Sequence, residues 1–458
     1  MRRSIIGSSL TSHGRNHLPP KSTFPAAAES MQAFASYANS PTEDKYNNIV
    51  IIGGGIAGMS TARYLLASDK KLHVTVIDKN EALPEQSAYS TYDKQQVDLL
   101  HFNIPSRRNG NILCPSLTVP WTTRSLWNEA FLPLVKSYIG TSEKGKHATI
   151  SFDVPSLIGN RDMRACAYHF LMQKYIYANH THQCNRSILE YNMKCLDDPS
   201  DELIQRIEYG RCAKGTKLLD GTIVKGDSSG DIGLFCQGLF HELKNEYGDA
   251  LAVKHGEEIT SIEINGGLIR GVTSVDHGGN KRTIEADATV IACGVASTHL
   301  CNTINVPCPV FPAKGYLATV ASKIQCEYNI TLSGGLGYAS PMAIKDSDDR
   351  YLYRLSGFVD FDLSPETNFD RIEALVDATR LSLPDLKLID ASACHRPVSA
   401  DDRPIVGCSQ KYSNLYLCSG FGSRGWSVGL GCGKLLSSII LGSNCEIDPA
   451  PFDPRRFR

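Results

Sequence analysis

The chain has 458 residues, with 47 Lys and Arg against 48 Asp and Glu and a formal net charge of −1. That length exceeds what a single hydrophobic core usually supports, so two domains are expected, and the even charge balance speaks against a nucleic-acid partner. Apolar residues make up 42% of the sequence, yet no run approaches the roughly 18 residues of a spanning helix, which leaves at most peripheral contact with a membrane.

Residues 1–40 differ from the rest. Arg2, Arg3, Arg15 and Lys21 are interleaved with Ser4, Ser8, Ser9, Ser12 and Ser22, and Glu29 is the only acid. An Arg/Ser-rich, acid-poor stretch of this kind reads as a targeting or disordered leader, with the mitochondrion as the expected address ahead of plastid or cytoplasm.

The strongest local signal begins at Tyr46. Asn48–Ile52 is a short apolar run of strand type, Gly53-Gly54-Gly55-Ile56-Ala57-Gly58 follows, and Met59–Ala67 has helical character. Leu72–Ile77 alternates as a second strand and ends at Asp78, which is followed by Lys79; Asp78 stands 20 residues beyond Gly58. This is G-x-G-x-x-G at a strand-to-helix turn. Gly53 permits the tight turn, Gly55 lets backbone approach a pyrophosphate, and Gly58 lets the helix pack on the strand. The helix N-terminus favours negative charge, and Asp78 is placed for ribose hydroxyls, which disfavours a 2′-phosphate.

Further along, Asp231–Tyr247 reads as an amphipathic helix. Leu251–Val253, Ile259–Ile264 and Leu268–Val275 read as short strands around the hairpin signal Gly266-Gly267. Ala286–Ile291 is a strand leading into Cys293 and Gly294, where backbone can meet a cofactor. Pro309–Val320 and Tyr351–Phe361 are strands of a different texture. Asn414–Cys418 is another, before the glycine-rich Gly420–Gly425 and a helix through Lys434–Ile440. The expected fold is α/β: a Rossmann-like domain assembled from 46–114, 226–300 and 395–445, with a sheet-containing α+β substrate domain inserted as 115–225 and 301–394. Fifteen cysteines form no C-x-x-C pair and are odd in number, so no disulfide framework and no metal site is expected.

His395-Arg396-Pro397-Val398-Ser399-Ala400-Asp401-Asp402-Arg403-Pro404-Ile405-Val406-Gly407, followed by Gly420-Phe421-Gly422-Ser423-Arg424-Gly425-Trp426-Ser427, resembles the closing signature of the FAD-dependent D-amino-acid oxidase superfamily. Asn109-Gly110-Asn111, Cys114-Pro115-Ser116 and Pro120-Trp121 are similar to the flavin-proximal stretch of its D-amino-acid dehydrogenase branch. Pro309–Tyr316, with Lys314-Gly315-Tyr316, and Gly226–Asp231 match that branch too. Phe421 stands where the family usually has His, and Asn111 where it has Gly. The resemblance implies FAD as cofactor and hydride transfer from the carbon beside a neutral substrate amine to flavin N5. The resulting imine hydrolyses to a 2-oxo acid. It implies a small amino acid or amine as substrate, and a quinone, an electron-transfer protein or O2 as acceptor.

For the cofactor, Gly53, Gly55, Ile56, Ala57, Gly58, Asp78 and Lys79 are assigned to the dinucleotide half. Asn109, Gly110, Asn111, Ile259, Cys293, Gly294, Arg396, Gly422, Gly425, Trp426 and Ser427 are assigned around the flavin. Donors at the Gly420–Gly425 turn and its helix stabilise charge developing at the flavin pyrimidine edge. A planar guanidinium is the natural partner of a substrate carboxylate. Arg354, Arg396, Arg107, Arg108 and Arg424 are candidates, Arg354 the preferred one, with Tyr316, Tyr338 and Tyr353 as hydroxyl donors. His395 is placed to tune the flavin or line the pocket. Arg354, Tyr316 and His395 thus form the expected substrate-side set. Two further readings stay open: a flavoprotein whose role is assembly, and a tRNA-modifying relative.

Overall fold

The computed structural model describes residues 46–69, 71–81, 110, 112–113, 150–152, 159–160, 164, 178–332 and 336–457. Among them no helix is long and apolar enough to cross a membrane. Asn109, Asn111, Arg107, Arg108, Trp121 and the 1–40 leader lie outside the described residues.

Short Val/Ile-rich runs build a six-stranded sheet. Its order is Ile405–Cys408, Leu415–Ser419, Ala288–Ile291, Asn48–Ile52, His73–Asp78 and Leu251–His255. Neighbours run parallel except at the hairpin of Ile405–Cys408 with Leu415–Ser419. In the central strand Ile49 and Ile51 enter one core and Val50 and Ile52 another. A strand buried on both faces reads as a continuous apolar run rather than an alternating one.

One face carries the helices Ile56–Ser68, Ala178–Leu196, Ile232–Tyr247 and Gly425–Leu441. Asp231 caps the third of these, its Oδ1 accepting from Leu234 N at 3.0 Å. The other face is covered by the antiparallel meander Glu257–Asn265, Leu268–Asp276 and Lys281–Glu285, through Ile262, Ile269 and Val272.

Two boundaries differ from the sequence expectation. Ala178–Leu196, assigned there to the inserted domain, packs with the nucleotide half: Ile188, Leu189 and Cys195 share its core. Asn192 Oδ1 accepts from Gly431 N at 3.0 Å, a contact that brings this helix against Gly425–Leu441. Its polar sequence hid an apolar face that only tertiary contacts disclose. Likewise, 395 is not a boundary, because Lys387–Ser399 pairs along its length with Val310–Ser322.

The inserted domain is an eight-stranded sheet. Its order is Lys387–Ser399, Val310–Ser322, Tyr351–Phe361, Gly337–Lys345, Asn329–Thr331, Thr216–Lys217 and Ile223–Val224, with Ile150–Phe152 beside Tyr351–Phe361. Helix Phe369–Arg380 covers its back, packing Ile372, Leu375 and Val376 against Tyr316, Ala318 and Leu355. The opposite face is turned toward the nucleotide half.

Candidate active site

Strand Asn48–Ile52 ends at Gly53, whose φ of +110° excludes most side chains and whose N–H donates to Ile77 O at 2.8 Å. A Cβ on Gly53 would stand 2.5 Å from Ala292 O. Helix Ile56–Ser68 starts from Gly55 with no side-chain cap and no acid in its first turn. Its leading N–H groups and positive dipole end are therefore available to an anion. Asp78 closes the neighbouring strand and accepts from Gly54 N (2.6 Å) and Asn80 N (2.8 Å). His255 is its register partner, and burial pushes the His255 pKa below the ordinary histidine value.

From this turn a cavity of about 880 Å³ runs past Ile259, Cys293 and Gly294 to Gly420–Gly425 and the inserted sheet. Gly425–Leu441 points a second uncapped helix N-terminus, again without an acid in its first turn, toward the far end. Arg424 just before it is not free to grip a ligand. Its Nη2 donates to Asp402 O (2.6 Å) and Oδ1 (2.8 Å), pinning a turn in which Asp402 itself has φ +58°.

The inserted sheet supplies the opposite wall. Arg396, on Lys387–Ser399, lies across Gly315 of the adjacent strand and reaches the strand beyond. There Nη1 donates to Phe358 O (2.7 Å) and Nη2 to Gly357 O (3.4 Å). No carboxylate pairs with it among the described residues. Burial pulls the Arg396 pKa down to about 10, well short of neutralising it at physiological pH. The cavity is thus bordered by a charged guanidinium that main-chain carbonyls hold in place.

Of the residues expected from sequence, Gly53, Gly55, Ile56, Ala57, Asp78, Lys79, Gly110, Ile259, Cys293, Gly294, Arg396, Gly422, Gly425 and Ser427 line this cavity. Gly58 sits behind it, holding the helix against the Gly53 carbonyl. Trp426, expected around the flavin, does not line the cavity. Its ring is buried against Tyr209 and Phe235, and Nε1 donates to Gly230 O at 2.9 Å.

The substrate-side set is largely redistributed. Tyr316 faces the back of the sheet, because successive strand residues alternate and Gly315 and Leu317 take the cavity side. Its hydroxyl donates to Asp360 Oδ2 at 2.7 Å. Arg354 does share the cavity face, opposite Thr319 and Ser340, but one pleat beyond the lining residues Leu317 and Ser356. Tyr353 donates to Ile324 O at 2.6 Å, also on the back. His395 borders the cavity, yet its Nε2 donates to Asp362 O (2.8 Å), and burial lowers its pKa below the ordinary value. It is a neutral, tethered ring at physiological pH. Sequence reasoning passed over Ser356, Gly357 and Phe358, whose approach depends on an irregularity in pairing, and Tyr338 enters the lining beside them.

A model of the FAD dependent oxidoreductase (DAO) family matches residues 48–439. The chain belongs to this family. Its cofactor is FAD. The residues present fit that group: an uncapped helix end for the diphosphate, an acid at the end of the second strand for a ribose, and an elongated cavity leading to a second uncapped helix end. Among members of the family, D-amino acid dehydrogenase of Vibrio vulnificus (strain CMCP6) is 31% identical over 261 residues, 56% of this chain and 59% of that protein. The enzyme of the same name from Dechloromonas aromatica (strain RCB) is 29% identical over 50% of this chain and 54% of its own length. The chain thus matches less than two thirds of these relatives' length. The fold is shared with fructosamine oxidase from Aspergillus fumigatus (TM-score 0.55, 12% identity, 90% of both chains). It is shared too with L-amino acid deaminase from Proteus vulgaris (TM-score 0.53, 17% identity, 92% and 96%).

Proposed function

We propose that the chain oxidises the CH–NH bond of a small amino acid, in the manner of a D-amino-acid dehydrogenase, giving an imine that water hydrolyses to a 2-oxo acid and ammonia. Bound FAD supplies the two-electron acceptor for the hydride leaving the substrate carbon. The observation that carries the reading is Arg396. A guanidinium held by two main-chain carbonyls, bordering the cavity and paired with no carboxylate among the described residues, is a ready partner for the carboxylate of an amino acid. This role passes to Arg396 from Arg354. Gripping that carboxylate fixes one end of the substrate and so restricts the pose of its Cα. His395, neutral and tethered through Nε2, leaves Nδ1 as an acceptor and adds no positive charge beside the substrate amine. Ser427 and the N–H groups at the start of Gly425–Leu441 offer donors to negative charge that develops at their end of the cavity.

Arg396 in the cavity weighs against a purely assembling flavoprotein, for which a carboxylate grip has no use. A quinone, an electron-transfer protein or O2 suits the reading as final acceptor. Anaerobic bleaching of the yellow protein by D- and L-amino acids, sarcosine, proline and glycine tests it: bleaching by at least one amino acid is expected, and indifference to all of them overturns it. Rapid recovery of colour in air then separates oxidase from dehydrogenase. The leader is proposed to direct the chain to mitochondria; residues 1–40 fused to a fluorescent protein would show this, and diffuse fluorescence would refute it.

A further inference from the structure

The carbonyls that hold Arg396 are available because the strand beneath them is interrupted. Between Lys314 and Tyr316 the pairing partner moves from Asp360 to Gly357, so two steps on one strand meet three on the other. Such a bulge takes backbone groups out of the ladder and re-aims what lies around it. Phe358 inside it has φ +54°, in a region that large L side chains rarely enter. Its N–H is satisfied by Leu336 O at 3.0 Å, and its carbonyl and that of Gly357 turn to the guanidinium.

A conformation of this kind persists only where the surroundings impose it, and here the back of the sheet does so. The Phe358 ring lies under the Arg371 guanidinium, 4.4 Å from Cζ to centroid, and edge-on to Tyr316 at 6.2 Å. Arg371 is itself fixed by Asp360, Nη2 to Oδ1 at 2.7 Å, both side chains being less than a tenth exposed. Tyr316 Oη and Ser151 Oγ each donate to the same carboxylate at 2.7 Å. None of Arg371, Asp360 and Tyr316 lines the cavity. We propose that Arg371, anchored by Asp360 and Tyr316, is a positioning residue: it locks the Phe358 bulge and thereby sets where Arg396 presents its donors to a substrate carboxylate.

This rests on Arg396 as the carboxylate partner, and one experiment separates the two. The FAD-loaded protein is titrated with benzoate and with benzamide, followed by the visible absorption of the flavin. The unaltered protein is expected to prefer benzoate, and Arg396→Met to lose that preference; a protein without the preference overturns the Arg396 reading and this proposal with it. Given the preference, Arg371→Met is expected to weaken benzoate about tenfold, with benzamide and FAD affinities within about twofold. Tyr316→Phe is expected to weaken it by about threefold and decides the matter if Arg371→Met does not fold. Undiminished benzoate binding in the variants that fold sinks the positioning role. In a Phe358→Gly background, where the backbone needs no lock, adding Arg371→Met should cost less than about twofold. An undiminished cost there means that Arg371 does not act through Phe358.

Discussion

The guanidinium of Arg396 lies so close over Gly315 that a Cβ built on the glycine would stand 2.2 Å from Arg396 Cζ. That contact explains the Lys314-Gly315-Tyr316 stretch. Gly315 leaves room for the arginine on the cavity side, while Tyr316 bonds Asp360 and Lys314 pairs with Asp362. Gly315→Ala should therefore displace the guanidinium without touching the dinucleotide site. We expect KM for an amino-acid substrate to rise by about tenfold or more with FAD still bound, checked by steady-state kinetics beside a flavin titration.

A side chain at Gly53 meets both an unfavourable φ and the Ala292 carbonyl. Gly53→Ala is expected to yield protein that retains little flavin, read as the ratio of visible to ultraviolet absorbance after desalting. A fully yellow variant would show that the turn tolerates distortion.

Much of this was legible in the sequence where the signal is local. The turn at Gly53–Gly58, the strand ending in Asp78 and the Asp231-capped helix each follow from a few neighbouring residues. That Arg396 lines the cavity while Arg354 stands one pleat beyond it was not, because the extent of the cavity along the strand depends on tertiary packing that no local pattern reports. Trp426 was misread for a related reason. Adjacent residues of one helix, Trp426 and Ser427, go to the core and to the cavity respectively. The helix Ala178–Leu196 was assigned to the wrong half because its partners lie far along the chain.

Asp401 is fully buried between Arg403 (Nε 2.9 Å) and Arg456 (Nε 2.7 Å), one residue before the Asp402–Arg424 pair. Although burial alone would raise its pKa, the two guanidiniums hold it down at about 2. A depressed folded-state pKa contributes stability above the unfolded value near 3.8 that is lost as pH falls toward 2. The difference corresponds to about 2 kcal/mol. Asp401→Asn should cost about 3–5 kcal/mol at neutral pH and flatten the acid limb of stability between about pH 4 and 2, measured by denaturant unfolding at each pH.

Helix Gly425–Leu441 closes on Ile56–Ser68 through glycines. A Cβ at Gly433 would come within 2.5 Å of Ser60 Cβ, and one at Gly429 within 2.6 Å of Ile56 Cγ1. Gly433→Leu is expected to destabilise by about 1–3 kcal/mol through overpacking, seen as a lower Tm. Because both helices begin at the cofactor cavity, FAD affinity should fall with it. An unchanged Tm would mean that the helices can separate at no cost.

Arg396 also bears on how the protein behaves without a ligand. Its charge is drawn partly out of water, bonded to two main-chain carbonyls and attracted by Asp360 nearby, but among the described residues no carboxylate pairs with it directly, a position that a ligand carboxylate would fill. Under the proposed function, substrate, product and small organic acids should therefore stabilise the folded chain, which should be at its most fragile when they are gone.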